Sequence, residues 1–334
     1  MFKYIVKRLL ISIVVLLGVS IIIYSLVRMM PNNYLDLKFA SKIQSGDMTL
    51  EQLEAFKVQY GISDNSFTGI VTGYFKWLGN MLKGDLGTSF KYELPVAEVI
   101  SSNMWVSFAI AVIATILQFA IAIPLGITSA THQYSKRDYA VTVFTMIGIA
   151  LPTYFFAAII VKVFSVQLGW FPSSGLISAG AVYTDDFAGF MAKLLDMAHH
   201  LVLPIACTVI LSLGGLMRYT RTNTLEVLNA DYIRTARAKG LSEKKVIYHH
   251  AFRNTLIPTV TILGGSLPAL FSGALITETL FGIPGIGYAS YYSMTAGDIP
   301  FSMFYLVFMA MMTLLGNLIT DVLYAVVDPR VRVS

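Results

Sequence analysis

Long stretches of this chain carry no charge, and their lengths constrain the fold more than anything else in it. Arg8 and Arg28 bracket 19 uncharged residues, Asp138 and Lys162 bracket 23, and Asp196 and Arg218 bracket 21. Arg253 and Glu278 bracket 24, and Asp298 and Asp321 bracket 22. A longer uncharged interval, Glu98 to Lys136, contains a further apolar run at about Trp105–Thr128. A helix needs about 20 apolar residues to cross the hydrocarbon layer, so each interval holds one crossing. The expectation is an all-α integral membrane protein with six transmembrane helices. Composition excludes a water-soluble fold: 13% of the residues are charged, against about a quarter in soluble domains.

The basic residues orient these spans. With a cytoplasmic N-terminus, the inner segments hold 15 of the 24 Lys and Arg but only five acids. That excess is what the positive-inside rule requires, so both termini are expected in the cytoplasm. The net charge of +5 therefore reports topology and does not point to nucleic acid. The lone Cys207 rules out a disulfide framework. The first apolar run is long for a signal-peptide core, and Arg28-Met29-Met30-Pro31 is a poor cleavage site, so an uncleaved first helix is expected.

Three regions follow from this layout: an N-terminal transmembrane helix in 1–30, an extracytoplasmic segment in 31–100, and a five-helix core in 101–330. In the second region, Thr49 and Gln52 stand at capping-box spacing ahead of a short helix through Tyr60. Phe75, Trp77, Leu78, Met81 and Leu82 form an apolar face, suited either to the membrane surface or to packing against the spans. Gly84-Asp85-Leu86-Gly87-Thr88-Ser89 reads as a turn. In the core, Pro124 and Pro152 mark kinks. Residues 167–198 and 281–298 read as outside loops, the second with a Gly-Pro turn and an aromatic cluster.

Between the fourth and fifth spans lies a basic stretch, 218–258. Leu225, Leu228, Tyr232 and Ala236 recur at helical spacing up to Lys239, and Gly240 stops that helix where a left-handed turn costs least. Ser242 is placed to cap a second short helix, with Leu241 and Val246 spaced as a hydrophobic staple. Two short helices and a glycine elbow at a membrane surface read as a docking knob for another protein. A helix lying on anionic lipid is the weaker alternative, and a DNA-reading pair has no room to reach a groove between two spans.

No catalytic chemistry is legible. The chain has no phosphate-cradling G-x-x-x-x-G-K-[ST] loop, no His-Glu-x-x-His and no G-x-S-x-G. His199-His200 and His249-His250 are adjacent pairs, which on a helix diverge by about 100° and suit a shared metal badly. Neither a catalytic residue nor a metal site is expected. A run of intramembrane carboxylates for an ion-driven carrier is also missing. Glu278, four residues before Gly282, either faces a pathway or is held by backbone donors of the loop that follows.

These pieces resemble the permease subunits of bacterial ABC importers, specifically the B-type subunit of dipeptide and oligopeptide uptake systems. The family's Glu-Ala-Ala-x-x-x-Gly motif aligns with Arg234-Thr235-Ala236 and Gly240, matching at Ala236 and Gly240 and departing at the first two positions. The family's Ile-x-Leu-Pro ending falls here on His250, Phe252 and Arg253, and the Arg253–Pro258 stretch resembles the ending of the peptide-uptake branch instead. Gly84–Ser89, Gly282–Gly287, Leu323-Tyr324 and Asp328-Pro329-Arg330 are similar to that branch too.

The resemblance implies a type I ABC importer permease fold and alternating access in a bacterial cytoplasmic membrane. It implies as partners a second homologous permease subunit, two cytoplasmic ATPase subunits, an extracytoplasmic peptide-binding protein and a peptide substrate, in contact with membrane lipid. ATP and Mg would sit on the ATPase subunits, with no cofactor on this chain. Arg234, Thr235, Ala236, Gly240, Leu241, Ser242, Glu243 and Lys244 would couple to the ATPase. Ala236 and Gly240 would allow close approach through their small size. Thr145, Thr153, Ser212, Ser266 and Glu278 would line the translocation path. A nickel or other small-solute permease of the same architecture, and a secondary carrier or channel without an ATPase, are the competing expectations.

Overall fold

The computed structural model describes residues 2–28, 39–40, 43–46, 48–59, 66–252, 254–255, 262–263 and 265–327. The regular elements among these are helical. In chain order they are α1 (Phe2–Arg28), α2 (Leu50–Gln59), α3 (Phe67–Leu82), α4 (Val96–Thr131), α5 (Lys136–Ala150) and α6 (Thr153–Ile160). Then come α7 (Phe187–Leu228), α8 (Asp231–Ala238), α9 (Leu275–Leu280), α10 (Ile286–Thr295) and α11 (Ile299–Val327). Helix α6 runs on into a π-helical turn, Val161–Gln167.

Among the described residues, α4 and α7, with Ile5–Leu26 of α1 and Ile299–Val322 of α11, are each long and apolar enough to cross a membrane. The expected third crossing is not one rod. Helix α5 and the helix beginning at Thr153 meet at a bend of 108°. Pro152 lacks an N–H to continue the ladder and disfavours helical backbone in the residue before it. Leu151 is accordingly extended, with ψ of 129°, so the proline breaks this span where only a kink was expected. Counting the bent pair as one span gives five. Of the sixth expected crossing, 254–277, residues 256–261 and 264 lie outside the described residues, and the remainder holds no long helix: a short apolar turn, Ala269–Ser272, is interrupted at Gly273 before α9 begins.

The chain divides into two units, Met1–Ser102 with Ala289–Leu318, and Asn103–Tyr288 with Ile319–Ser334. In the first, Ile23 and Tyr24 of α1, Leu53 of α2, Tyr74 of α3, and Ile299, Met303 and Val307 of α11 share one core. The Thr49–Gln52 capping box forms: the Thr49 N–H donates to Gln52 Oε1 at 2.8 Å and the Gln52 N–H to Thr49 Oγ1 at 3.2 Å. Trp77, Leu78 and Met81 pack on the core while Phe75 and Leu82 stay exposed, so α3 takes the packing role for part of its apolar face. The Gly84–Ser89 turn ends at a buried carboxylate: Asp298 accepts from the Ser89 hydroxyl and from the N–H groups of Lys91 and Phe301, and so caps α11.

In the second unit, glycines let helices touch backbone to backbone. A methyl group on Gly148 of α5 would lie 2.5 Å from the Ile210 carbonyl of α7, and one on Gly214 of α7 would lie 2.5 Å from the Thr145 carbonyl. A methyl on Gly126 of α4 would meet Thr220 Cβ at 2.7 Å. Small residues at such crossings are how membrane helices gain contact, because lipid supplies no hydrophobic drive to press them together. Asp138 on α5 is buried and paired with Arg221 on α7 at 2.9 Å, tying the polar ends of the two helices.

Two stretches expected to be loops are partly helical. Residues 187–198 already belong to α7, and α10 occupies 286–295 of the stretch 281–298. Helix α7 also continues past its apolar run to Leu228.

Candidate functional site

The basic elbow begins where α7 ends. Asn229 caps it, and Ala230 adopts extended backbone with ψ of 147°, so the periodicity expected to run unbroken from Asn223 to Lys239 is split in two. Helix α8 then presents Ile233 and Ala236 inward, both buried with Val246 and Ala251 in a small core that Leu241 borders. Tyr232 is 47% exposed and Ile233 takes its inward place, so the expected stripe holds at Leu228 and Ala236 and fails at Tyr232. Leu241 and Val246 thus meet as the staple predicts.

Gly240 ends the helix with φ of +77°, and its N–H donates to the Arg237 carbonyl at 2.9 Å. This is the left-handed region that side-chain-bearing residues pay to enter. No atom lies within 4 Å of where its Cβ would be. Within this chain the glycine is therefore required by backbone angle, and the space beside it is open. Ala236 lies on the inward stripe that its helical spacing predicts. It is 6% exposed, and its small side chain serves the packing of α8 onto the following turn, so it does not face outward.

Ser242 occupies the N-cap position of the single turn Glu243–Lys245 with extended backbone, but its side chain makes no capping bond, against expectation. The turn is instead braced by charge. Arg237 Nη2 donates to Glu243 Oε1 at 2.7 Å and its Nε to Oε2 at 3.1 Å, a two-pronged bridge across Gly240. The guanidinium holds the Glu243 carboxyl below its ordinary value, and the carboxylate raises Arg237 in turn. The sequence reading missed this brace, although opposite charges flanking a glycine turn were its visible signal. Arg234 and Lys244 are exposed, and Thr235 bonds back to the Asp231 carbonyl at 3.0 Å. The second short helix is a π-helical turn, Val246–Ala251, and Pro258 lies outside the described residues.

Glu278, 2% exposed, takes the second of its two expected roles. Its Oε1 accepts from the Ser107 hydroxyl at 2.7 Å and the Ala274 N–H at 2.9 Å, and its Oε2 accepts from the Tyr288 N–H at 2.7 Å. The Ser107 hydroxyl also accepts from the Ile286 N–H at 2.8 Å. The glycines of 282–287 make this possible: a methyl on Gly285 would stand 2.3 Å from the Glu278 carboxyl carbon. The carboxylate is thus the knot that holds Gly282–Tyr288 against α4 and the start of α9.

The other suggested path residues spend their hydroxyls within their own helices. Thr145 is buried and donates to the Val141 carbonyl at 2.9 Å, Ser212 donates to Val209 at 3.0 Å, and Ser266 donates to Leu263 at 2.8 Å. Thr153 is the first residue after the Pro152 break. Of the histidine pairs, His200 Nδ1 meets the Asp196 carbonyl and His199 Nε2 the Trp170 carbonyl, each at 2.9 Å. The rings of His249 and His250 stand at 88° to one another.

Comparison with known proteins places this chain in a family. Residues 122–333 match the family described as binding-protein-dependent transport system inner membrane component. The chain is 39% identical over 333 residues to the oligopeptide transport system permease protein AppB of Bacillus subtilis, covering 99% of this chain and 100% of that one. It is 32% identical to the oligopeptide transport system permease protein OppB of Haemophilus influenzae, covering 99% of this chain and 100% of the relative. A putative peptide transport system permease protein of Brucella abortus is also 32% identical, over 98% of each chain. The chain belongs to the family of binding-protein-dependent transport system inner membrane components.

Proposed function

We propose that this chain is one permease half of an ATP-driven importer that carries di- and oligopeptides across a bacterial cytoplasmic membrane. Its partners are a second homologous permease, two cytoplasmic ATPase subunits that bind ATP and Mg, and an extracytoplasmic peptide-binding protein. Both termini and the elbow 218–258 face the cytoplasm, and residues 31–100 lie outside. The peptide substrate rests on full-length likeness to proteins named for oligopeptide transport. The coupling role rests above all on Gly240: its backbone needs glycine, while the space around it is open to a partner.

In this reading the elbow moves as one piece. Its buried core and the Arg237–Glu243 bridge make it stiff, so closure of the ATPase pair would be passed to α7 without being absorbed locally. The exposed surface around Gly240, with Arg234, Leu241, Ser242, Glu243 and Lys244, fits the groove of the ATPase. Polar residues such as Thr153, Ser212 and Ser266 line the path after the spans swing apart.

The test is Gly240→Trp in the assembled importer. The expected result is normal membrane insertion with peptide uptake lost and ATP hydrolysis no longer stimulated by the peptide-binding protein. Uptake at the native rate would refute the coupling role.

A further inference from the structure

One cavity in the second unit is absorbed by neither the elbow nor the Glu278 knot. It has a volume of about 410 Å³ and runs along the cleft between α5 and α7. Tyr134 and Tyr139 border one end and Ile149 the other, with Arg218 and Met146 meeting between them. Tyr139 and Ile149 are ten residues apart on α5, so the cavity spans about 15 Å from one chemistry to the other.

The charges along the cavity do not balance. Asp138 and Arg221 also border the cavity, but they neutralise each other at 2.9 and 3.0 Å. That leaves Arg218. Its Nη2 donates to the Met146 thioether at 2.9 Å, and thioether sulfur is a weak acceptor for a guanidinium with five N–H donors. Arg218 is also the first charged residue after 21 uncharged ones on α7, which puts it at the boundary between hydrocarbon and water. The phenol rings of Tyr134 and Tyr139, 75% and 60% exposed, stand where tyrosines commonly sit at that boundary.

A net cation and two phenols over an apolar cleft suit a molecule with an anionic head and a hydrocarbon tail. The geometry points to a binding site for an anionic phospholipid, with its phosphate on Arg218 and one acyl chain along Met146 and Ile149. Basic pockets between membrane helices are a known way to hold such headgroups. The site would place a lipid across α5 and α7, whose tight crossing at Gly148 and Gly214 lies beside the same cavity.

The test uses the full chain purified in mild detergent, titrated in parallel with a short-chain phosphatidylglycerol, the matching phosphatidylcholine and inorganic phosphate. Retained lipid is counted by native mass spectrometry. Phosphatidylglycerol should bind at least about tenfold more tightly than phosphatidylcholine. Arg218→Gln should erase that preference, Arg218→Lys should restore part of it, and Ile149→Trp should weaken lipid retention without changing the response to phosphate. Equal binding of the two lipids, or an unchanged preference in Arg218→Gln, would overturn the proposal. So would competition by inorganic phosphate at equal concentration, which would make the site one for free anions. Displacement of the lipid by a dipeptide would assign the cavity to the transport path. If Arg218→Gln does not elute as a single species, the native comparison and Ile149→Trp decide the matter.

Discussion

Replacing Glu278 tests whether the Gly282–Tyr288 loop is held by one carboxylate. In Glu278→Gln the side-chain shape is kept, but one oxygen becomes an NH2 donor. Oε1 accepts two hydrogen bonds and Oε2 one, so the amide should turn its oxygen toward Ser107 and Ala274. Its NH2 then faces the Tyr288 N–H, donor against donor. A buried donor left unmatched costs about 1–3 kcal/mol, so Glu278→Gln should destabilise by about 2 kcal/mol. Glu278→Ala strips both backbone donors of their acceptor, and the Ser107 hydroxyl can rotate away, so the cost should be about 4 kcal/mol. For a chain of this size about 2 °C per kcal/mol applies, giving falls of roughly 4 °C and 8 °C in the unfolding midpoint. Tryptophan fluorescence of the purified protein in detergent reads the transition. A Glu278→Gln midpoint within about 1 °C of the native one would refute the knot, as would Glu278→Ala being the milder change.

Three further outcomes are expected. Gly214→Leu should force α5 and α7 apart and lower the midpoint by more than Gly215→Leu, whose Cβ position meets nothing within 4 Å. Asp138→Ala leaves the largely buried Arg221 without its partner and should cost about 3 kcal/mol, whereas the double change Asp138→Ala with Arg221→Met should recover much of it. The Arg237–Glu243 bridge is half exposed, so Glu243→Gln should cost only about 0.5 kcal/mol. Because the bridge lowers the Glu243 carboxyl, its contribution is full above the unfolded value near 4.5 and is lost as pH falls through the depressed folded one. The midpoints of native and Glu243→Gln proteins should therefore differ at pH 7 and converge in acid.

What the sequence disclosed follows the range of the forces involved. Burying charge in hydrocarbon is so costly that uncharged intervals alone marked α1, α4, α7 and α11. Gly240 was legible because left-handed backbone has few other occupants, and Thr49–Gln52 because a capping box is a local pattern. Contacts between distant residues left no such trace. The partnership of Asp298 with Ser89 spans 209 positions and that of Glu278 with Ser107 spans 171. Helix α10 was hidden by its glycine, serine and tyrosine content, which reads locally as loop. Ala236 shows what residue type alone leaves open, because small size serves an internal contact as readily as an external one.

Helix α7 runs unbroken for 42 residues with Pro204 inside it, a contour of about 63 Å, roughly twice the thickness of the hydrocarbon layer. One end packs Val227 and Leu228 against the elbow core, while Leu201, Leu203 and Cys207 near the midpoint share a core with Phe281 and Ile283. A stiff body pivoting near its middle by about 10° displaces each tip by about 5 Å, in opposite directions. A push on the knob would therefore leave the packing of Phe281 and Ile283 almost in place and swing the Phe187 end the opposite way, as the two arms of a seesaw move.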